Sequence, residues 1–242
     1  MQYPNNELQL LSEIKELMKN WKQSVSLPGD FTSDGFYPYY THQPIKILFM
    51  GRESRGLSNL DYIEILYEAY KNNRIGKTSL NRNAFHRRML YLAHGIMNNF
   101  PSLNNVPKAS EIAKNFATTD GISFAFMNIS KTSNESENYS ANWKNINQSI
   151  KDACNGKFNF IKEEIQTLSP DIIIGSGVDN LLETIKCNYK LLEENKLRKI
   201  YELWLNHKKI NFLIFFIFQH YIINLTKIRG KVLKIMIVFM YL

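Results

Sequence analysis

A chain of 242 residues, 44% hydrophobic and 13% aromatic, can bury one sizeable core, which excludes a disordered chain. Its two cysteines, Cys154 and Cys187, are too few for an iron–sulfur or Cys-rich zinc site and fit a reducing, cytoplasmic setting. The net charge of +8 suggests an anionic partner, yet six basic residues and no acid fall within 207–242, which leaves +2 for the first 206 residues.

Residues 7–21 place Leu8, Leu11, Ile14, Met18 and Trp21 at helical spacing, with neither the apolar h-region nor the basic start of a signal peptide. Residues 26–44 are rich in Pro, Gly and Asp turn signals. The run 45–50, IKILFM, reads as a buried strand. It stops at a glycine-bounded charged turn, Gly51-Arg52-Glu53-Ser54-Arg55-Gly56. Helices are expected over 61–70 and 84–98, separated by a basic, polar stretch, with a further short helix after FPSLNNVPKAS. The second buried strand, 121–128 (GISFAFMN), ends in Asn128 and runs into Ile129-Ser130-Lys131 and a polar loop. Helices follow over 141–154 and 158–168, then a third strand, IIIG. Gly175-Ser176-Gly177 opens a helix through Leu181, Leu182 and Ile185. A charged helix over 190–206 leads to a fourth strand, 210–218, ending at Gln219-His220. No apolar run reaches the length of about 18 residues that a membrane-spanning helix needs. The tail, 226–242, fits a buried strand with a basic loop, and its composition also fits an out-of-frame reading of an AT-rich gene.

Strands that are apolar throughout, alternating with helices, predict a three-layer α/β/α domain around a central four-stranded parallel sheet. That domain takes in 1–242, with 1–44 as an N-terminal helix-and-loop extension and 226–242 as a separate tail. In such a sheet the strand ends lie along one edge, where ligands bind. This edge would gather Glu53, Asn128, Ser176 and His220.

These endings resemble those of the uracil-DNA glycosylase superfamily. Gly51-Arg52-Glu53 is similar to its strand-end motif of glycine, any residue and an acid. GISFAFMN is similar to its strand ending in a base-reading asparagine. His220 stands where that family has the histidine of His-Pro-Ser, with Tyr221-Ile222 replacing Pro-Ser. LSPDIIIGSG resembles the strand before that last motif, so the resemblance spans roughly 45–220. The tyrosine that excludes thymine in the best-known branch is absent, and Ser54-Arg55 stand in its place.

The resemblance implies a uracil-DNA glycosylase-like fold and a base-excision glycosylase that hydrolyses the N-glycosidic bond of uracil or a related damaged base in DNA. Glu53 would position the attacking water and steady the oxocarbenium-like state, and His220 would donate to the base O2. An asparagine amide carries both a donor and an acceptor, so Asn128 would match uracil N3–H and O4. Gly51, Arg52, Ser176 and a stacking Phe85 would complete the base pocket for a flipped nucleotide. Arg55, Lys131 and Arg87 would hold phosphates of single- or double-stranded DNA. A monomer needing no metal, no cofactor and no membrane is implied.

Taken singly, each residue has an ordinary reading. Glu53 fits a turn or helix cap, Asn128 a satisfied turn, His220 a buried histidine, Phe85 the core, and Arg87-Arg88 a solvated helix face. Two other functions use the same residues. One is a non-catalytic nucleic-acid- or nucleotide-binding member of the same fold. The other is an unrelated nucleotide-processing α/β hydrolase with Glu53 as nucleophile or base.

Overall fold

Helices form where apolar side chains recur every three to four residues and a polar side chain stands just before the first turn. The computed structural model describes residues 1–215 apart from 27, 137–139, 156–157, 179–180 and 197, and the backbone of Tyr221–Ile223 and Ile237–Phe239. The described α-helices are α1 (Leu8–Ser24), α2 (Tyr62–Lys71), α3 (Ala84–Met97), α4 (Ala109–Ile112), α5 (Trp143–Ala153), α6 (Phe160–Leu168) and α7 (Leu181–Ile185). Asp61, Asn83, Asn142 and Asn159 each accept the backbone N–H three residues on, capping α2, α3, α5 and α6. Such a cap contributes about 0.5–2 kcal/mol. No described helix is long and apolar enough to cross a membrane.

The described strands are β1 (Gly35–Phe36), β2 (Ile47–Arg55), β3 (Arg74–Ile75), β4 (Thr78–Ser79), β5 (Ala125–Asn134) and β6 (Ile172–Ser176). They continue with β7 (Asn188–Glu194), β8 (Arg198–Leu205), β9 (Lys208–Phe215), β10 (Tyr221–Ile223) and β11 (Ile237–Phe239). The main sheet has seven strands in the order β1-β5-β2-β6-β9-β8-β7. This corrects the expected four-stranded parallel sheet. The four strands read from the sequence are its parallel centre, β5-β2-β6-β9. Antiparallel strands extend it at both edges, β1 beside β5, and β8 and β7 beyond β9.

The charged helix expected over 190–206 is instead the β7–β8 hairpin. Its turn closes with the Arg198 N–H donating to the Asn195 side chain and the Asn195 N–H donating to the Arg198 carbonyl. Charge there reflects an edge position: β7 is exposed along almost all its length, and a charged, exposed edge discourages further strand pairing. A bulge between Leu191 and Glu193 disturbs the ladder at the same place.

Both faces of the sheet are covered, which explains the unalternated apolar runs. Ile47 and Phe49 of β2, with Phe126 of β5, join α2, α3 and α4 in one core cluster. Leu48 and Met50, with Met127, join α1, α5, α6 and α7 in the other. The first 44 residues belong to these clusters: Trp21, Tyr37 and Tyr40 are wholly buried.

One buried polar pair makes stability sensitive to acid. His86 of α3 lies inside the first cluster with its Nδ1 2.9 Å from the Tyr70 hydroxyl, and burial pushes its pKa down to about 3. The folded state keeps the ring neutral while the unfolded chain takes up a proton below pH 6.5, so stability falls as pH drops through that window. The slope expected from this group is about 1.4 kcal/mol per pH unit. A His86→Phe protein orphans the Tyr70 hydroxyl and should lose about 1–3 kcal/mol at pH 7. It also lacks the histidine's acid slope, so urea titrations at pH 7 and 4.5 should show the gap closing in acid. A gap independent of pH contradicts this.

Candidate active site

Glu53 does not stand in a turn. β2 runs on through Gly51-Arg52-Glu53-Ser54-Arg55, and β5 runs past Asn128 to Asn134 beside it. Gly51 is in register with Asn128, Glu53 with Ser130 and Arg55 with Asn134, with an irregularity between Glu53 and Arg55. The backbone ladder, which needs no apolar side chains, carries both strands beyond their hydrophobic halves. On the other side of β2, Met50 is in register with Gly175, one residue before Ser176. Gly51, Arg52, Glu53, Asn128 and Ser176 therefore lie on three adjacent parallel strands, toward the carboxyl ends of β2 and β6, with Asn128 inside β5. His220 lies outside the described residues.

The Glu53 side chain is 4% exposed. One carboxylate oxygen, Oε1, accepts from Asn134 Nδ2 at 2.9 Å and from the Asn142 backbone N–H at 3.2 Å. The Arg55 guanidinium lies 3.5 Å from the same oxygen and donates at 2.6 Å to the Ser140 carbonyl. The second oxygen, Oε2, is buried and has no partner among the described residues. One half of the carboxylate is thus fixed, and the other half is an acceptor at the strand edge.

Asn128 is 2% exposed, and its Nδ2 is likewise buried without a partner among the described residues. An orphaned buried amide costs about 1–3 kcal/mol, so this donor is one that an incoming acceptor could satisfy. Its position depends on Gly51: a Cβ there would lie 2.7 Å from Asn128 Oδ1 and 3.0 Å from Phe126 Cζ. Gly51→Ala should push the amide aside and cost about 1–3 kcal/mol by overpacking, measurable as a lowered urea midpoint. An unchanged midpoint would show that the amide has room to move. Alternation along β2 puts Gly51 and Glu53 on one side, about 7 Å apart.

Phe85 of α3 is half-buried and meets Phe126 edge-on at 6.2 Å, while Phe126 stacks on Tyr62 at 4.4 Å. Phe85 therefore touches the ring beneath Gly51 and is also part of the core packing. Arg87 is half-buried and donates from a guanidinium nitrogen to the Asn81 carbonyl at 2.8 Å.

Lys131 requires a correction. Its side chain is wholly buried and reaches no surface phosphate. Nζ binds Asp34 Oδ1 at 2.5 Å and Glu164 Oε2 at 2.8 Å, 4.6 Å from the centre of the Trp21 ring. Burial alone would lower the lysine pKa, but the two carboxylates outweigh it and raise it. Burial, then Asp34, pushes the Glu164 carboxyl well above the usual range. The other Asp34 oxygen accepts the backbone N–H of Asn128 at 2.6 Å, so this triad clamps the strand behind the candidate base reader.

Several residues of the site had no sequence signal. Asn134, which holds Glu53, lies in the stretch that reads as a polar loop, and Asn142, whose N–H also holds it, lies at the start of the helix expected over 141–154. Trp143 follows directly and is 49% exposed, with the Arg52 guanidinium 5.8 Å from its ring centre. The Arg52 stem passes Gly177, whose left-handed φ of 62° suits glycine, and a Cβ there would lie 3.5 Å from Arg52 Cδ. Among the described residues no group of three or more His, Cys, Asp or Glu could hold a metal ion. Comparisons with protein-family models, with curated proteins and with solved structures return no match in any of the three.

Proposed function

We propose that the chain is a DNA base-excision glycosylase that hydrolyses the N-glycosidic bond of uracil or a related damaged base. The observation that carries this reading is the pairing of two orphaned buried groups at one sheet edge. One is an acceptor, Glu53 Oε2, and the other a donor, Asn128 Nδ2, on neighbouring parallel strands. The resemblance of Gly51-Arg52-Glu53 and GISFAFMN to uracil-DNA glycosylase motifs supports the same reading, and with it a parallel sheet centre of that superfamily's kind.

In this mechanism the target nucleotide leaves the stack and enters the edge between β2 and β5. Asn128 donates to a carbonyl of the base. Glu53, its Oε1 already held, orients water through Oε2 and balances the positive charge that grows on the sugar as the glycosidic bond lengthens. Water adds to the anomeric carbon, the electron pair of the broken bond leaves with the base, and the water proton passes to Glu53. His220 is the proposed donor to the base O2. Ser54 is buried and donates to Thr32 Oγ1, and Arg55 turns toward Ser140, so neither supplies an aromatic wall against thymine's methyl group. The proposed substrate class therefore extends beyond uracil.

DNA is the proposed partner and a cytoplasmic monomer the proposed working form. The test incubates the protein with single- and double-stranded oligonucleotides carrying uracil, hypoxanthine or ethenocytosine, then adds alkali. Strand scission at the modified position supports excision. Tight binding with no scission on any substrate would favour a non-catalytic binder.

A further inference from the structure

We infer that Trp143 and Arg52 form a stacking platform for the nucleobase next to the one held at Glu53, so that the protein grips single-stranded DNA. The inference rests on the excision reading for the place of that neighbouring base. The exposure of Trp143 is unlike that of Trp21, which is wholly buried, although both belong to helices packed on the sheet. Trp143 is the first residue of α5, and the chain just before it is tied down. The Asn142 N–H binds Glu53, the Ser140 carbonyl accepts from Arg55, and the Asn142 side chain caps the helix. An indole that is half exposed yet anchored at its backbone loses little entropy when a ring stacks on it.

Arg52 supplies the second half of the platform. Its guanidinium stands on the indole at the outer limit of a cation–π contact, with its stem along Gly177. Lys144, the next residue along α5, is exposed. An exposed aromatic surface with a guanidinium beside it suits a base and its phosphate, and it tolerates any base because every base has a π-face. Asn142 and Trp143 have neighbouring Cα atoms about 3.8 Å apart. The Asn142 N–H binds Glu53 Oε1 and Trp143 is the next residue, which puts the platform at the Glu53 end of β2.

The test uses the full chain with Trp204→Phe, which removes the other exposed indole and leaves buried Trp21 as background. Undamaged oligothymidylate is the probe. Stacking should quench the Trp143 emission, and Trp143→Ala in that background should weaken binding about tenfold, as loss of one base–aromatic stack does. Trp143→Phe should retain most of the affinity. Unquenched emission on binding overturns the proposal, as does a folded Trp143→Ala protein that binds like its parent. Should Trp143→Ala fail to fold, quenching in the Trp204→Phe protein decides alone. The probe carries no excisable base, so these outcomes are separate from scission. Quenching without scission on damaged strands refutes excision and keeps the platform. Scission without quenching does the reverse.

Discussion

Lys131→Met is expected to lower folding stability by about 3–5 kcal/mol, the cost of leaving buried charge without its partner. Asp34 and Glu164 are both wholly buried, and Lys131 is the cation that both bind. A domain of ordinary stability has about 5–15 kcal/mol in total, so such a loss should move the urea midpoint far down. The pH dependence follows from the same groups. The Lys131 pKa is raised by folding, so its contribution is complete below pH 10.5 and fades as pH climbs through the folded value. The Glu164 pKa is also raised, and for a carboxyl this has the opposite meaning. The folded state holds a proton that the unfolded chain releases above pH 4.5, so stability falls as pH rises across that window. Adding Glu164→Gln and Asp34→Asn to Lys131→Met should recover part of the loss. A loss below about 1 kcal/mol would show that the triad is not a paired network. The effect reaches the candidate site, because Asp34 also holds the Asn128 N–H.

Glu53→Gln is expected to lower the single-turnover rate of base release by about 10²–10⁴-fold, the usual contribution of a positioned acid–base group. The substitution keeps the side chain's shape but removes its charge, and the amide nitrogen replaces one carboxylate oxygen. If that nitrogen takes the Oε1 place, it faces the Asn134 and Asn142 donors, which then lose their acceptor. If it takes the Oε2 place, the water loses its acceptor. Either orientation abolishes the arrangement of one oxygen fixed and one oxygen toward water. Affinity for the damaged strand should change far less than the rate, because Asn128 and the exposed cations remain. A variant that loses binding and rate together would place Glu53 in the packing of the strand edge and not in the chemistry.

The parts of the fold legible in the sequence were those where burial on both faces writes an apolar run. Most of IKILFM, the second half of GISFAFMN and IIIG lie in the adjacent central strands β2, β5 and β6, with β5 starting at Ala125 and not at Gly121. The polar continuations of β2 and β5 left no such mark, since their ladder is made by backbone groups. The reading therefore placed Glu53 and Asn128 at strand ends, while the strands go on past both. The β7–β8 hairpin was misread because Leu191, Leu192, Leu203 and Leu205 sit among dense charges, as on a solvated helix. Its alternating burial in β8 appears only against β9. Lys131 was misread for a different reason: its carboxylates are 97 and 33 residues away, so nothing near it in the chain announces a buried ion pair. The order of the apolar runs placed Gly51, Glu53, Asn128 and Ser176 on neighbouring parallel strands, and of these only Ser176 ends its strand.

The most direct test of base excision is alkali-induced scission of a single-stranded oligonucleotide bearing one uracil, compared between the parent protein and Glu53→Gln. Excision at the Glu53–Asn128 edge predicts a cut at the uracil with the parent and a rate at least about a hundredfold lower with the variant. Equal scission by both proteins would contradict it, as would no scission by the parent on uracil, hypoxanthine and ethenocytosine strands alike.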